Sequence, residues 1–310
     1  MTTTLVTGGT GFIGSHVAAE LRERGREVLL LDHMHRHPTP GMEVLYGDIR
    51  DPIDVMEAMA HADSWIHLAG VLGTAETVQD PRPAAVTNIL GGLNVLEAAA
   101  HYKVPGVNIA VGNYWMNNPY SITKNTVERF CDMYRRERGV PVTVVRALNA
   151  YGPGQVPAAP YGPSKVRKIT PAFVCRALTD TPIEIYGDGS QVMDMIHVDD
   201  VAIILVNALE VTERKGPIEA VIEAGTGRET TVLDIAQLVA AEVAAQTDMD
   251  PEITFLPMRA GEPERSVVLG NPGTLASVGV DPKALYTLED GLSETVAWYR
   301  ENWLPAYLAS

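Results

Sequence analysis

Cysteine is scarce in this chain: among 310 residues there are two, Cys131 and Cys175. Their spacing suits neither a metal knuckle nor a redox pair, so reduced thiols and a cytoplasmic protein are expected. Long apolar runs are missing as well. None approaches the ~18 residues of a membrane span, and no secretory leader is legible at the N-terminus, so neither a spanning nor an exported chain is expected. Positive charge is in short supply, with Lys and Arg totalling 24 against 39 acidic residues, for a formal net charge of −15. Such a balance disfavours nucleic acid and anionic membranes as partners. A phosphate-bearing ligand must then be held by local donors, which makes each cluster of Arg or Lys informative.

Apolar residues are plentiful. At 46% they suffice for a packed core, built as one large α/β domain or two lobes. The chain opens with Leu5-Val6-Thr7-Gly8-Gly9-Thr10-Gly11-Phe12-Ile13-Gly14, followed by Val17, Ala18 and Leu21 at helical spacing. This reads as strand, tight turn, helix. Glycine lets the turn take dihedrals closed to other residues and removes side chains where a pyrophosphate approaches the helix N-terminus. The candidate turn comprises Gly8, Gly11, Phe12, Ile13 and Gly14. A second apolar run, Glu27 to Leu31, ends in Asp32, 18 residues past Gly14. A carboxylate near that offset accepts hydrogen bonds from ribose hydroxyls and repels a 2′-phosphate, favouring NAD over NADP. The alternative is a loop aspartate capping a turn, and nearby Arg36 leaves NADP open.

His33, His35 and His37 alternate, but no acidic or thiol partner is spaced to complete a metal site, so no metal is expected and a solvated loop over the adenosine is the reading. Strands follow at Val44–Tyr46, Trp65–Leu68, Val107–Val111 and Val142–Val145. Helices are expected over Pro52–Met59, Arg82–Tyr102 and Tyr120–Arg138, the last with Val127, Phe130, Cys131 and Tyr134 at i, i+3, i+4, i+7. From Gly154 to Pro171 the chain is proline-rich and irregular, which marks the exit to a second lobe. Beyond it a helix is expected over Asp199–Leu209, a strand over Ile218–Ile222, a helix over Thr231–Ala245, short strands near Ile253 and Val267, and a closing helix over Leu288–Tyr299. Six alternating units imply an α/β fold with a Rossmann-type doubly wound parallel sheet and its ligand crevice at the strand C-terminal ends. The expected division is a dinucleotide-binding domain over 1–153 plus about 194–225, and a smaller α/β substrate lobe over about 154–193 and 226–310.

Tyr120-Ser121-Ile122-Thr123-Lys124 opens a crossover helix, and four-residue spacing stacks Tyr120 and Lys124 on one face. A phenol is a weak base at neutral pH, but an adjacent ammonium and a nicotinamide cation favour the phenolate, which then takes a proton from a sugar hydroxyl. The alternative is a tyrosine and lysine that merely pack at a helix start.

Taken together, these segments resemble the extended short-chain dehydrogenase/reductase family, the NAD-dependent nucleotide-sugar epimerases and dehydratases. The resemblance rests on TGGTGFIG at Thr7–Gly14, Asp32, GDI at Gly47–Ile49, HLAG at His67–Gly70, Asn88, YSITK from Tyr120, RALNAYGPGQ at Arg146–Gln155, YGDGSQ at Tyr186–Gln191 and HVDDVA at His197–Ala202. It implies a tightly held NAD, with Asp48, Ile49, Leu68, Ala69, Gly70 and Asn88 added to the cofactor contacts. It further implies Tyr120 as base, Lys124 on the nicotinamide ribose lowering the tyrosine pKa, and Asn149 and Arg259 facing a nucleotide-diphosphate sugar. Helices Arg82–Tyr102 and Tyr120–Arg138 are then expected to pair across a two-fold axis into a homodimer.

Three departures stand out. The Ser or Thr that relatives carry after the fifth strand is absent: Gly112-Asn113-Tyr114-Trp115 follows instead, and only six residues separate Asn113 from Tyr120. Asn113 can orient the sugar, and Thr74 can reach in from the other side. The dehydratases' carboxylate pair and the decarboxylases' glutamate are missing at this strand end, Glu76 being the one nearby substitute. Met193 stands where relatives carry an arginine, and the cluster Lys165, Arg167 and Lys168 is expected either to compensate on the diphosphate or to be a solvated turn. The expected reaction is 4-epimerisation, which needs the fewest extra acid or base groups; a dehydratase, decarboxylase or 4-ketoreductase with a rearranged site, and a non-catalytic NAD sensor, are the alternatives.

Overall fold

Alternating apolar strands and amphipathic helices form a parallel sheet in the computed structural model, which describes residues 2–34, 37, 41–259 and 261–310. The first part runs β1 (Thr3–Thr7), α1 (Phe12–Glu23), β2 (Glu27–Asp32), β3 (Glu43–Tyr46), α2 (Pro52–Ala60), β4 (Ser64–His67), α3 (Thr74–Gln79), α4 (Pro81–Ala84) and α5 (Gly91–Tyr102). Next come β5 (Gly106–Val111), α6 (Pro119–Arg138), β6 (Val142–Ala147), β7 (Asn149–Tyr151), α7 (Ile169–Leu178), β8 (Ile183–Tyr186), β9 (Val192–Met193) and β10 (Met195–His197). The chain continues through α8 (Val198–Lys215), β11 (Ile222–Ala224), β12 (Thr230–Thr231), α9 (Val232–Gln246), β13 (Ile253–Leu256), β14 (Val267–Val268), α10 (Leu288–Trp298) and α11 (Leu304–Leu308).

The main sheet has the order β11-β6-β5-β4-β1-β2-β3, and every pairing in it is parallel. Both faces are covered, which is why β2 reads as an unbroken apolar run. Its pleat sends Leu30 into one core, with Val17, Leu21 and Leu205, and sends Leu29 and Leu31 into the other, with Met59, Leu96 and Val127. A third core gathers Phe173, Ile185, Val239, Val296 and Tyr299 around the small sheet pair β13-β8. Local signals set the helix starts. Asp51 accepts from Ile53 N–H at 2.8 Å ahead of Pro52, and Asn118 accepts from Ser121 N–H at 3.0 Å ahead of Pro119.

The doubly wound α/β expectation holds, with a seventh strand beyond the six counted. That strand, β11, begins at Ile222, where Ile218–Ile222 was expected; Ile218 instead gives its N–H to Thr143 Oγ1 at 2.9 Å. The helix expected over Arg82–Tyr102 contains a π turn at Ala85–Leu90, centred on Asn88. Helix α7 escaped the sequence reading because Pro171 signals a break, yet it lies in the first turn, where its missing N–H has no partner to lose. A short helix, α3, occupies the loop expected after β4. His35, Arg36, Pro38 and Pro40, hence the histidine loop and the NADP alternative, lie outside the described residues.

Candidate active site

A cavity of about 810 Å³ opens at the C-terminal ends of the central strands and is lined on its far side by residues of β8, β9 and α7 and by Met258, Arg259, Glu262 and Pro263. Its floor is the β1–α1 turn. Gly8 has φ +69°, and a Cβ there would lie 2.8 Å from the Ala69 backbone. A Cβ on Gly14 would lie 2.2 Å from the Gly8 carbonyl, so the turn and α1 can pack this closely only as glycine. Among the described residues no side chain caps α1, and Gly11, Phe12 and Ile13 at its N-terminus line the cavity.

Asp32 ends β2, 7% exposed, in the same wall. Its Oδ2 accepts from Thr10 N–H at 3.1 Å and Thr10 Oγ1 at 2.8 Å, while Oδ1 accepts from Met34 N–H at 3.3 Å. Asp48 and Ile49 follow along the wall. Hydrogen bonding from Arg50, through Nε at 2.9 and 2.8 Å, holds the Asp48 carboxyl below the usual carboxylate range. Leu68, Ala69 and Gly70 line the cavity beyond β4. Beneath them His67 shares a 2.6 Å hydrogen bond with Thr7 Oγ1, and burial pushes the imidazole down to about 3, leaving it neutral.

Asn88 is placed differently from expectation. It does not line the cavity but is buried behind it, accepting from Val71 N–H at 2.7 Å and donating to Val71 O at 3.1 Å and Thr123 Oγ1 at 2.9 Å. A ligand contact is replaced by a strut, since all its polar atoms are already engaged.

Tyr120 and Lys124 sit one turn apart at the start of α6, and both line the cavity. Burial pushes the phenol upward and lowers the Lys124 ammonium to about 8; among the described residues neither group has a hydrogen-bond partner. The lowering of Tyr120 by Lys124 that the resemblance implied is therefore not what the free protein displays: desolvation dominates. Asn113 lines the cavity just past β5, and among the described residues its side chain has one polar contact, Nδ2 to Met116 Sδ at 3.6 Å. Beside it, a Cβ on Gly112 would meet Leu148 Cδ1 at 2.2 Å, so a seryl or threonyl side chain there requires Leu148 to move.

Thr74 and Arg259 are brought together across the mouth of the cavity. Thr74 Oγ1 donates to Glu262 Oε1 at 2.7 Å, and Arg259 holds the same carboxylate through Nε at 3.1 Å and Nη2 at 2.6 Å. The Arg259 guanidinium also lies 5.0 Å from the Tyr186 ring centre. Glu76 accepts from Arg167 N–H at 3.4 Å and is absent from the wall. Asn149 is in the wall, its Nδ2 donating to Asp194 O at 3.1 Å.

The basic cluster divides. Lys165 is exposed and outside the cavity, whereas Arg167 lines it and donates to the Tyr186 hydroxyl. Lys168 lines it too, with Nζ 5.9 Å from the Tyr120 ring centre. Burial lowers the Lys168 ammonium, which has no hydrogen bond or ion pair among the described residues. Met193 faces the same space.

Sequence reasoning passed over Gln155 and Gln191 as individual groups. Each lines the cavity and is buried; Gln155 Nε2 donates to Ala150 O at 3.4 Å and Gln191 Nε2 to Tyr186 O at 3.1 Å. Those carbonyls dictate the amide orientation and leave both Oε1 atoms buried without a donor. The only signal available was their membership in the motifs ending at Gln155 and Gln191.

Among the described residues no group of three or more His, Cys, Asp or Glu could hold a metal ion, and no helix is long and apolar enough to cross a membrane. Comparison with known proteins points one way on family and two ways on reaction. A putative UDP-glucose 4-epimerase of Methanocaldococcus jannaschii is 27% identical, over 96% of this chain and 98% of that protein. A dTDP-glucose 4,6-dehydratase of Streptomyces antibioticus is 29% identical, over 96% and 92%. The crystal structure of Thermus thermophilus UDP-glucose 4-epimerase, a complex with NAD, superposes with a TM-score of 0.84 at 28% identity, over 97% of this chain and 99% of that one. The model of the NAD dependent epimerase/dehydratase family matches residues 4–222, and the chain belongs to that NAD-dependent family of nucleotide-sugar enzymes.

Proposed function

We propose that the protein is a nucleotide-sugar 4-epimerase. The observation that carries the reading is the inventory of acids and bases in the cavity wall. Its carboxylates Asp32, Asp48, Glu184 and Glu262 are all engaged, by Thr10, Arg50, Arg176 and Arg259 respectively. Tyr120 is a phenol with no hydrogen-bond partner among the described residues, one turn from Lys124 in the same wall, and no unpaired carboxylate stands beside it. Dehydration and decarboxylation need a further acid or base; reversible oxidation at one carbon needs only the phenol.

NAD fits the residues present. The uncapped α1 N-terminus suits a pyrophosphate, the space a Cβ would fill at Gly8 and Gly14 allows close backbone approach, and the Asp32 carboxylate suits a ribose diol. We assign Gly8, Gly11, Phe12, Ile13 and Gly14 to the pyrophosphate, Asp32 to the adenosine ribose, and Asp48 and Ile49 to the adenine side. Leu68, Ala69, Gly70 and Lys124 take the nicotinamide half. When bound, NAD supplies the hydride acceptor and donor at C4 of the sugar. Tyr120 takes the O4 proton as the alcohol is oxidised and returns it when the ketone is reduced on its other face. Asn113 supplies an amide donor where relatives have a hydroxyl; Thr74, already bonded to Glu262, braces the mouth rather than the sugar. Asn149 and Gln155 line the side given to the hexose, and Arg259, Arg167 and Lys168 supply positive charge for the diphosphate, offsetting Met193.

The decisive experiment incubates the purified, NAD-loaded protein with UDP-, GDP- and dTDP-hexoses and follows products by NMR. Inversion at C4 alone is expected. A 4-keto-6-deoxy product or loss of CO₂ would replace the epimerase by the dehydratase or decarboxylase, and absence of turnover with every sugar would leave a dinucleotide-binding sensor. We also propose a homodimer built on the helical face that exposes Leu90, Ile122 and Met133, at 52%, 47% and 37%.

A further inference from the structure

Residues 155–164 form one wall of the cavity without a strand or helix of their own; an isolated bridge between Ala158 and Ser164 is their regular backbone pairing. A segment of this kind takes its position from whatever covers its outer side. Here that cover is aromatic. Tyr299, Trp303 and Tyr307 recur every four residues through the π turn Tyr299–Trp303 and α11. The Tyr299 hydroxyl donates to the Gln155 carbonyl, and the Trp303 indole N–H donates to the Tyr161 carbonyl at 3.3 Å. The Tyr161 ring packs 5.8 Å from both Trp303 and Tyr307, which stack on each other at 5.0 Å. Tyr299 is fully buried in the core that contains Val296 and Phe173, so the stripe is rigidly based.

We propose that Tyr299 and Trp303 are positioning residues for the sugar: they pin the two ends of the 155–161 wall and thereby fix the side of the cavity, Gln155 and Tyr161 included, against which the hexose packs. The inference rests on the nucleotide-sugar reading. Gln155 is the link, since its side chain is tied to Ala150, next to Asn149 at the strand end, while its own carbonyl is tied to Tyr299.

The test compares wild type with Tyr299→Phe, Trp303→Phe and Trp303→Ala. Amide hydrogen exchange is measured on each protein, and calorimetric binding of UDP-, GDP- and dTDP-glucose, and of the free nucleoside diphosphates, on the NAD-loaded forms. In Trp303→Ala the amides of Ala159 and Tyr161, bonded to Ser164 and Ala158, should exchange about tenfold faster, with those of Leu30 and Ile109 unchanged. The nucleotide sugar that wild type binds should lose about tenfold in affinity while its nucleoside diphosphate stays within about twofold. Tyr299→Phe should do the same more mildly, and Trp303→Phe should restore most of the binding because stacking survives. Unchanged wall exchange, equal losses for sugar and diphosphate, or equal acceleration across the central sheet would each overturn the proposal. Wild type binding none of the sugars overturns it together with the epimerase reading; normal wild-type binding with unaffected variants overturns it alone.

Discussion

The Asn88 amide donates to the Thr123 hydroxyl at 2.9 Å, and that hydroxyl donates in turn to the Tyr120 carbonyl at 3.0 Å. Through its other bonds Asn88 grips both backbone groups of Val71. One buried amide therefore ties the loop that follows β4 to the first turn of α6. Asn88→Ala should cost about 2–3 kcal/mol, because it strands both backbone groups of Val71 and removes the donor to the Thr123 hydroxyl. It should also lower kcat at saturating NAD. Chemical denaturation and steady-state kinetics check both, and a variant as stable and active as wild type would remove the strut.

Tyr120→Phe deletes one oxygen and no packing volume. Turnover should fall by at least about 10³-fold, the range of a lost general base, while calorimetry finds NAD affinity unchanged. Asn113→Ala should reduce kcat more than Thr74→Ala, whose hydroxyl serves Glu262. The reverse ranking would give the sugar contact to Thr74.

Lys124 carries a pH-dependent cost. Its ammonium is lowered from 10.5 to about 8 by burial. Below pH 8 both folded and unfolded chains hold the proton, and the folded chain bears the full cost of a buried cation. Between about 8 and 10.5 the unfolded chain binds more protons, so stability rises with pH as that cost is relieved. Lys124→Met should consequently stabilise the NAD-free protein at pH 7 by about 1–3 kcal/mol, with the difference shrinking toward pH 10.5. Urea titrations at both pH values decide it; a constant difference would show that the amine is already neutral or already solvated.

The split basic cluster gives a direct contrast. Lys168→Met should raise KM for the nucleotide sugar about tenfold, the loss of one charge-assisted contact, and Lys165→Met should change it less than about twofold because that side chain is outside the cavity. Equal effects would return both lysines to a diffuse electrostatic role.

Local signals by themselves missed α3, β7, α7 and the short strands β8 to β10 but determined the six strands β1 to β6, the glycine turn, the Asp32 strand end and the spacing of the Tyr120–Lys124 pair. These are local: each depends on residues at most one turn or one βαβ unit apart, where spacing translates directly into geometry. Tertiary packing decided the rest. Asn88 looked like a ligand contact but is a strut, Thr74 is drawn to a glutamate 188 residues away, and Lys168 rather than Lys165 enters the cavity. The wall at 155–161 is held by aromatics 142 to 144 residues further along the chain. Contacts across such separations depend on which faces distant elements present to each other, and that is settled by burial and hydrogen-bond satisfaction in three dimensions, beyond the reach of any pattern along the chain.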